Sequence, residues 1–162
     1  MRLEYFQLVD RIVDFDLANR TIRTQASVPS SSTIFEGHFP GLPLMPGVLL
    51  MELMAQTSGW LVIGLNKFSR MPFLAAFNHA KLRAFVNPGE ALEATASIVH
   101  EGSGYARTKA VVHRDGKTVC DAEITFRLIE FPNREFREHM EKAAAAIAFP
   151  AEIGTQGCTS HG

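Results

Sequence analysis

The stretch GHFPGLPLMPGVLLMELMAQ, residues 37 to 56, decides how the rest of the chain is read. Its first half carries Pro40, Gly41, Pro43, Pro46 and Gly47, which forbid regular structure there. Pro46 suits the first turn of a helix, where its missing N–H is no loss. The run from Val48 to Asn66 predicts one helix, apolar nearly all round and therefore central rather than superficial. Between Phe39 and Asn66 the one formally charged residue is Glu52. An ionised carboxylate is costly to bury alone, so Glu52 is expected to be paired, protonated or functional. A bilayer span is excluded by the same residue: with Gln56, Thr57 and Ser58 it sits near the middle of the run, where a charge costs roughly 2.5–3.5 kcal/mol to insert.

Outward from this helix the period changes. Leu92, Ala94, Ala96 and Ile98 alternate with polar residues, and residues 120 to 128 (CDAEITFRL) alternate more cleanly still. Two-residue periodicity predicts strands with one face on a core and one in water. Turn signals at Gly102–Gly104 and Asp115-Gly116 divide them into antiparallel hairpins. Ile12 to Val28 predicts two short strands around a turn at Asp16–Asn19, and Pro72 to Phe77 another strand. Leu3 to Val9 reads as a short helix or extended arm, and Ser30–Ser32 as loop. The expected class is α+β, an antiparallel sheet against one buried helix. Asn133 is an N-cap for a last helix with Phe136, Met140, Ala144 and Ile147 on one face, stopped by Pro150. The expected organisation is a domain over 1–132, a helical extension over 133–150 and a disordered tail over 151–162.

Bulk properties exclude several function classes. A net charge of −1 is not that of a nucleic-acid-binding or anionic-membrane-binding polyelectrolyte. Two cysteines, Cys120 and Cys158, are too few for a disulfide framework and lack zinc-ligand spacing. Cys120, on an inward-facing strand position, reads as a small core residue. Acids within the first ten residues, and no apolar run among them, argue against a signal peptide, so a cytoplasmic location is expected.

His38 and Glu52 are the candidate chemical pair. A helix starting at Gly47 points free N–H groups and a positive dipole end at the preceding loop, where a carbonyl oxygen gaining charge would be stabilised. Histidine moves protons near neutrality, and a carboxyl group in apolar surroundings suits proton donation or hydrogen bonding to a hydroxyl. Together these are the parts needed to remove a proton beside a carbonyl and expel a β-hydroxyl. Gln56, one turn after Glu52, reads either as its orienting partner or as a polar residue on a shared wet face.

The same stretch closely resembles the signature of the β-hydroxyacyl-acyl-carrier-protein dehydratases of fatty-acid synthesis, FabZ type, which has the form HFPGxPxMPGVLxxExxAQ. LVDRI (8–12), AKLRAFVNPGE (80–90) and DGKTVCDAEITF (115–126) are similar to further segments of that family, so the resemblance covers about residues 3 to 130. It implies a hotdog fold, a sheet wrapped around a long central helix. It also implies a homodimer, often assembled into a hexamer as a trimer of dimers, with active sites at the dimer interface. By position His38 and Glu52 are the catalytic residues, contributed by different subunits. The backbone N–H of Gly47 would hold the thioester carbonyl and Gln56 would contribute to substrate binding. The implied reaction turns a (3R)-3-hydroxyacyl thioester on acyl carrier protein into the trans-2-enoyl thioester and water, without metal or organic cofactor. The related FabA dehydratase–isomerases have Asp at the acidic position, so Glu52 favours the plain dehydratase. The extension from 133 and the divergent middle (71–89) are similar to relatives dedicated to very long acyl groups of bacterial lipid A.

Residues 53 to 89 contain no acid but hold Lys67, Arg70, Lys81 and Arg83, a positive stretch suited to docking an acidic carrier protein, with Lys81 and Arg83 the docking candidates. The rival readings are a hotdog thioesterase, and a noncatalytic acyl-binding subunit. Retention of both His38 and Glu52 argues against the latter.

Overall fold

Alternation in the second half of the chain builds one antiparallel sheet. The computed structural model, which describes residues 1–154, contains β1 (Arg11–Asp16), β2 (Thr21–Ser27), β3 (Met71–Leu82), β4 (Ala91–Gly102), β5 (Tyr105–Arg114) and β6 (Lys117–Ile129). Their spatial order is β1-β2-β4-β5-β6-β3, with every neighbouring pair antiparallel. Two of the predicted turns are two-residue hairpins with both central residues at positive φ: Ser103-Gly104 (52° and 79°) and Asp115-Gly116 (50° and 74°). That geometry matches the twist of the flanking strands, and glycine meets it without steric cost. The β1–β2 turn is held by Asp16, whose carboxylate accepts from the Asn19 backbone and side chain.

The sheet wraps around α2 (Gly47–Leu65), the hotdog arrangement that the resemblance implies. Small inward residues make room for the helix: Ala94 and Ala96 on β4, Ala106 and Ala110 on β5 and Ala122 on β6 are all buried. Leu53, Met54, Leu61 and Val62 of α2 fill the space above them and are fully buried. Each such side chain contributes roughly 1.5–3 kcal/mol by leaving water. Thr57 and Thr24 of β2 share a buried hydroxyl–hydroxyl hydrogen bond of 2.9 Å, so a polar pair inside the core is satisfied. α2 has the length and hydropathy of a membrane span, yet two thirds of that stretch is buried inside this fold.

The structure corrects the expected boundaries in four places. Thr33–Gly37 forms a short helix, α1, where only loop was expected; Ser32 caps it by accepting from the Ile34 N–H at 3.1 Å. Pro46 lies outside the central helix as its cap rather than in its first turn, and Leu49 and Leu50 donate to its carbonyl. β3 is twice the expected length, and its burial pattern is exposed almost throughout. It ends the sheet, pairing with β6 along one edge and with no strand of the described residues along the other.

The fourth correction concerns the C-terminus. α3 (Arg134–Ala146) starts where expected, with the Asn133 carbonyl oxygen of the side chain accepting from the Phe136 N–H at 2.8 Å. Its apolar stripe is only partly covered: Ala144 is buried, but Phe136 remains 38% exposed. Beyond it, Ile147 accepts from the Ile12 N–H at 2.7 Å, and Phe149 meets Phe15 and Phe68 edge-on at 5.5 and 5.4 Å. Ala151–Gly154 then forms a helical turn, α4, with Ile153 buried, so the chain is ordered past the expected start of the tail. The rest of that expected tail, 155–162, lies outside the described residues.

Candidate active site

The loop between α1 and α2 is tied to itself at every turn. His38 donates its backbone N–H to Ile34, and the backbones of Phe39 and Leu42 exchange hydrogen bonds of 3.0 and 2.9 Å. Leu44 returns its N–H to the His38 carbonyl at 2.9 Å, and Met45 donates to Val86 at 2.8 Å. The prolines and glycines of residues 37 to 47 therefore build a rigid loop. The His38–Phe39 peptide in it is cis.

This loop fixes the chemistry of the His38 ring. Nδ1 lies 3.1 Å from the Leu44 carbonyl oxygen. A carbonyl can only accept, so Nδ1 carries a hydrogen, and in the neutral ring the lone pair then lies on Nε2. The ring stacks on Phe39 with centroids 4.2 Å apart and is half-buried.

Glu52 projects from the second turn of α2 and is half-buried. Its carboxylate accepts from Gln56 Nε2 at 2.9 Å, as helical i,i+4 spacing allows. The same Gln56 nitrogen donates to the Phe6 carbonyl at 2.7 Å, and its oxygen accepts from the Leu8 N–H at 3.0 Å. Gln56 is thus engaged at both ends and holds the Glu52 carboxylate in place. The clamp onto residues 6–8 was hidden from sequence reasoning, because it uses backbone groups that every residue carries. Glu52 also opens onto a cavity of about 630 Å³ bounded by the N-terminal segment, α2, the start of β3 and α3. No residue of the His38 loop lines that cavity. Within one chain, then, His38 does not line the cavity that Glu52 opens onto.

Gly47 opens α2 with no side-chain cap before it, so the helix N-terminus presents unpaired N–H groups to the loop side. A Cβ at Gly47 would run into the Leu82 side chain of β3. Glycine there keeps the backbone close to that strand. Lys81 and Arg83 are both exposed at the end of β3, but Arg83 is committed to Asp121 at 2.6–2.7 Å. Cys120 is fully buried against Met54, and burial, helped by neighbouring Asp121, pushes its thiol up to about 12, which suits a core residue and not a nucleophile.

Comparison with known proteins places this geometry. The family model of the FabA-like domain matches residues 2–123. The 3-hydroxyacyl-[acyl-carrier-protein] dehydratase FabZ of Protochlamydia amoebophila is 37% identical over 125 residues, covering 77% of this chain and 81% of the relative. That of Proteus mirabilis is 36% identical over 122 residues, covering 74% and 81%. Among solved structures, a conserved protein of Pseudomonas aeruginosa superposes with a TM-score of 0.62 at 19% identity, covering 78% of this chain and 91% of that one. A hypothetical thioesterase of Streptococcus pneumoniae, solved with coenzyme A, gives 0.58 at 17%, covering 76% and 90%. At such identities the superpositions speak for the fold alone. With the family model spanning three quarters of its length, and relatives above 30% identity matched over most of theirs, the chain belongs to the FabA-like family.

Proposed function

We propose that this protein dehydrates (3R)-3-hydroxyacyl groups carried on acyl carrier protein to the trans-2-enoyl thioesters, as a step of fatty-acid synthesis. The observation that carries the reading is the His38 tautomer: Nδ1–H bound to the Leu44 carbonyl leaves Nε2 as a base. His38 Nε2 takes a proton from C2 of the acyl group. The thioester oxygen, gaining negative charge, is held by the Gly47 N–H at the helix start. Glu52, held by Gln56, hydrogen-bonds the departing 3-hydroxyl, which leaves as water with a proton given by Glu52 or returned from His38. The double bond forms between C2 and C3, and the proton balance closes without metal or cofactor.

His38 does not line the cavity onto which Glu52 opens in the same chain, which favours a homodimer in which each site joins His38 of one subunit to Glu52 of the other. The exposed β3 edge is the surface offered for that pairing, with Phe73 and Leu82 each more than half exposed on it and Val48 and Phe85 nearby. A further assembly of three dimers is compatible with this surface and is part of the proposal. So is a cytoplasmic location, where the carrier-bound substrate is made. Lys81 and Arg83, beside that edge, are the proposed carrier-protein contacts.

The test is turnover of 3-hydroxyacyl-carrier protein by wild type, His38→Ala and Glu52→Gln, with products resolved by mass. Enoyl product that falls by a factor of 10² to 10⁴ in both variants is expected. Release of free hydroxy acid instead would make the protein a thioesterase, and binding without turnover would make it an acyl-binding subunit.

A further inference from the structure

Phe39 follows His38 in the chain and packs little. It is 51% exposed, so its ring gains only part of the stabilisation that a core phenylalanine would give. Its backbone is nonetheless fixed at both polar groups: the N–H donates to the Leu42 carbonyl at 3.0 Å, and the carbonyl accepts from the Leu42 N–H at 2.9 Å. The loop therefore holds an aromatic ring in a set place without burying it.

What that ring touches is the imidazole. The two rings lie face to face, with centroids 4.2 Å apart and planes 26° from parallel. The Leu44 carbonyl holds the imidazole at a single atom, Nδ1, at 3.1 Å. One hydrogen bond leaves a planar ring free to tilt about its point of attachment, and a flat neighbour removes that freedom. The same neighbour carries a charge distribution that matters when the imidazole is protonated. The face of a phenyl ring is electron-rich, and a cation within about 6 Å of its centroid is attracted to it. Among the described residues of one chain, no carboxylate is ion-paired with His38.

We infer that Phe39 is a positioning residue for the dehydration: its face fixes the plane of the His38 ring and stabilises the charge that the ring acquires. The inference rests on the dehydratase reading for the reaction. When the C2–H bond breaks, its electron pair stays with the acyl group and the proton goes to His38 Nε2, so the ring passes from neutral to cationic. A contact with the phenyl face is weak before that transfer and stronger during it. Only such an interaction, stronger in the transition state than in the ground state, speeds the step. Phe39 stays half-exposed because its work is done through His38 and not through the core.

The experiment compares wild type with Phe39→Leu, Phe39→Tyr and proteins carrying mono-, di- or trifluorophenylalanine at position 39. Each is given 3-hydroxyacyl-carrier protein, and the tautomer of the His38 ring is read by nitrogen NMR of the labelled protein. Phe39→Leu is expected to lower kcat roughly three- to thirty-fold, the range that an aromatic face contributes to a cation. Its KM should stay within about two-fold of wild type, and its His38 ring should show both neutral tautomers where wild type shows one. Phe39→Tyr keeps the face and should restore kcat to within about two-fold. Fluorination keeps the shape and drains the face of electron density, so kcat should fall stepwise along the series with the tautomer unchanged. Wild-type kcat in Phe39→Leu overturns the inference. So does a loss in Phe39→Leu with none along the fluorinated series, which would make Phe39 a packing residue. A rise in KM alone overturns it too, since the ring then touches substrate. If wild type makes no enoyl product while Phe39→Leu mixes the tautomers, the hold on His38 stands and the dehydratase reading falls; unmixed tautomers would remove both.

Discussion

Gln56 Nε2 stands 2.9 Å from the Glu52 carboxylate and 2.7 Å from the Phe6 carbonyl, so one side chain joins the N-terminal segment to the proposed catalytic acid. Replacing it by Leu leaves the Phe6 and Leu8 backbone groups and one carboxylate oxygen without that partner. We expect a stability loss of about 1–3 kcal/mol. We also expect kcat to fall roughly 10- to 100-fold with KM little changed, because the acid is misplaced rather than removed. Steady-state kinetics beside thermal melting checks both; a rise in KM alone would reassign Gln56 to substrate binding.

The proposed sharing of sites between subunits has a quantitative signature. Equal amounts of His38→Ala and Glu52→Gln chains, unfolded and refolded together, give mixed dimers in which one of two sites has both native residues. About a quarter of wild-type activity should return, from two inactive parents. No recovery, with mixed dimers demonstrated, would place both residues of a site in one chain.

Gly64 is where α2, β1 and the C-terminal segment meet, since a Cβ there would strike the Phe15 and Phe149 rings. Gly64→Ala gains helix propensity of about 1 kcal/mol. Overpacking costs about 1–3 kcal/mol against it. The net expectation is a melting temperature lower by a few degrees, read by calorimetry, with Gly59→Ala moving it the other way.

Glu90 holds the loop before β4. Burial alone would raise its carboxyl, but hydrogen bonds from the Asn87 backbone, Arg114 and the Asn87 side chain outweigh it and hold the group below its ordinary 4.5. A depressed carboxyl contributes stability above its unfolded value and loses that contribution as pH falls through its folded one. Between pH 7 and about 5, wild type should therefore exceed Glu90→Gln in stability by a constant margin. Below about 4.5 the margin should shrink. A margin unchanged down to pH 3 in urea titrations would remove Glu90 from the acid sensitivity of the fold.

For the carrier protein, Lys81 is the more available of the two docking candidates, because Arg83 already answers Asp121. Lys81→Glu is expected to slow association with an acidic carrier about ten-fold at low salt and to leave pantetheine-bound substrate unaffected. Equal effects on both substrates would remove the docking role.

The sheet and the central helix were legible because their signals are local. Alternation in Ala122–Leu128 and the unbroken apolar run after Gly47 each report a period that a few neighbouring residues define. α1 was missed because its five residues are too few to show a period, although Ser32 is a fair capping signal. The length of β3 was underestimated for a physical reason: its sequence MPFLAAFNHAKL shows no regular alternation to read, and its side chains are mostly exposed. At the site, His38 and Glu52 stood out as types. What the sequence could not convey was the Leu44 carbonyl that selects the His38 tautomer and the Phe6–Leu8 backbone that clamps Gln56. The cavity behind Glu52 was equally hidden, being the product of packing an extension against α2.

β3 offers its outer edge and many exposed side chains to whatever approaches. A strand left in that state is a template for indiscriminate association. A chain that covers such an edge by pairing with its own copy ties its integrity to its abundance: dilution strips the cover, and newly made chains must find one another before they find something else. The proposed sharing of a catalytic site across that seam would have a further effect, for a solitary chain would then hold neither a protected edge nor a complete set of reacting groups.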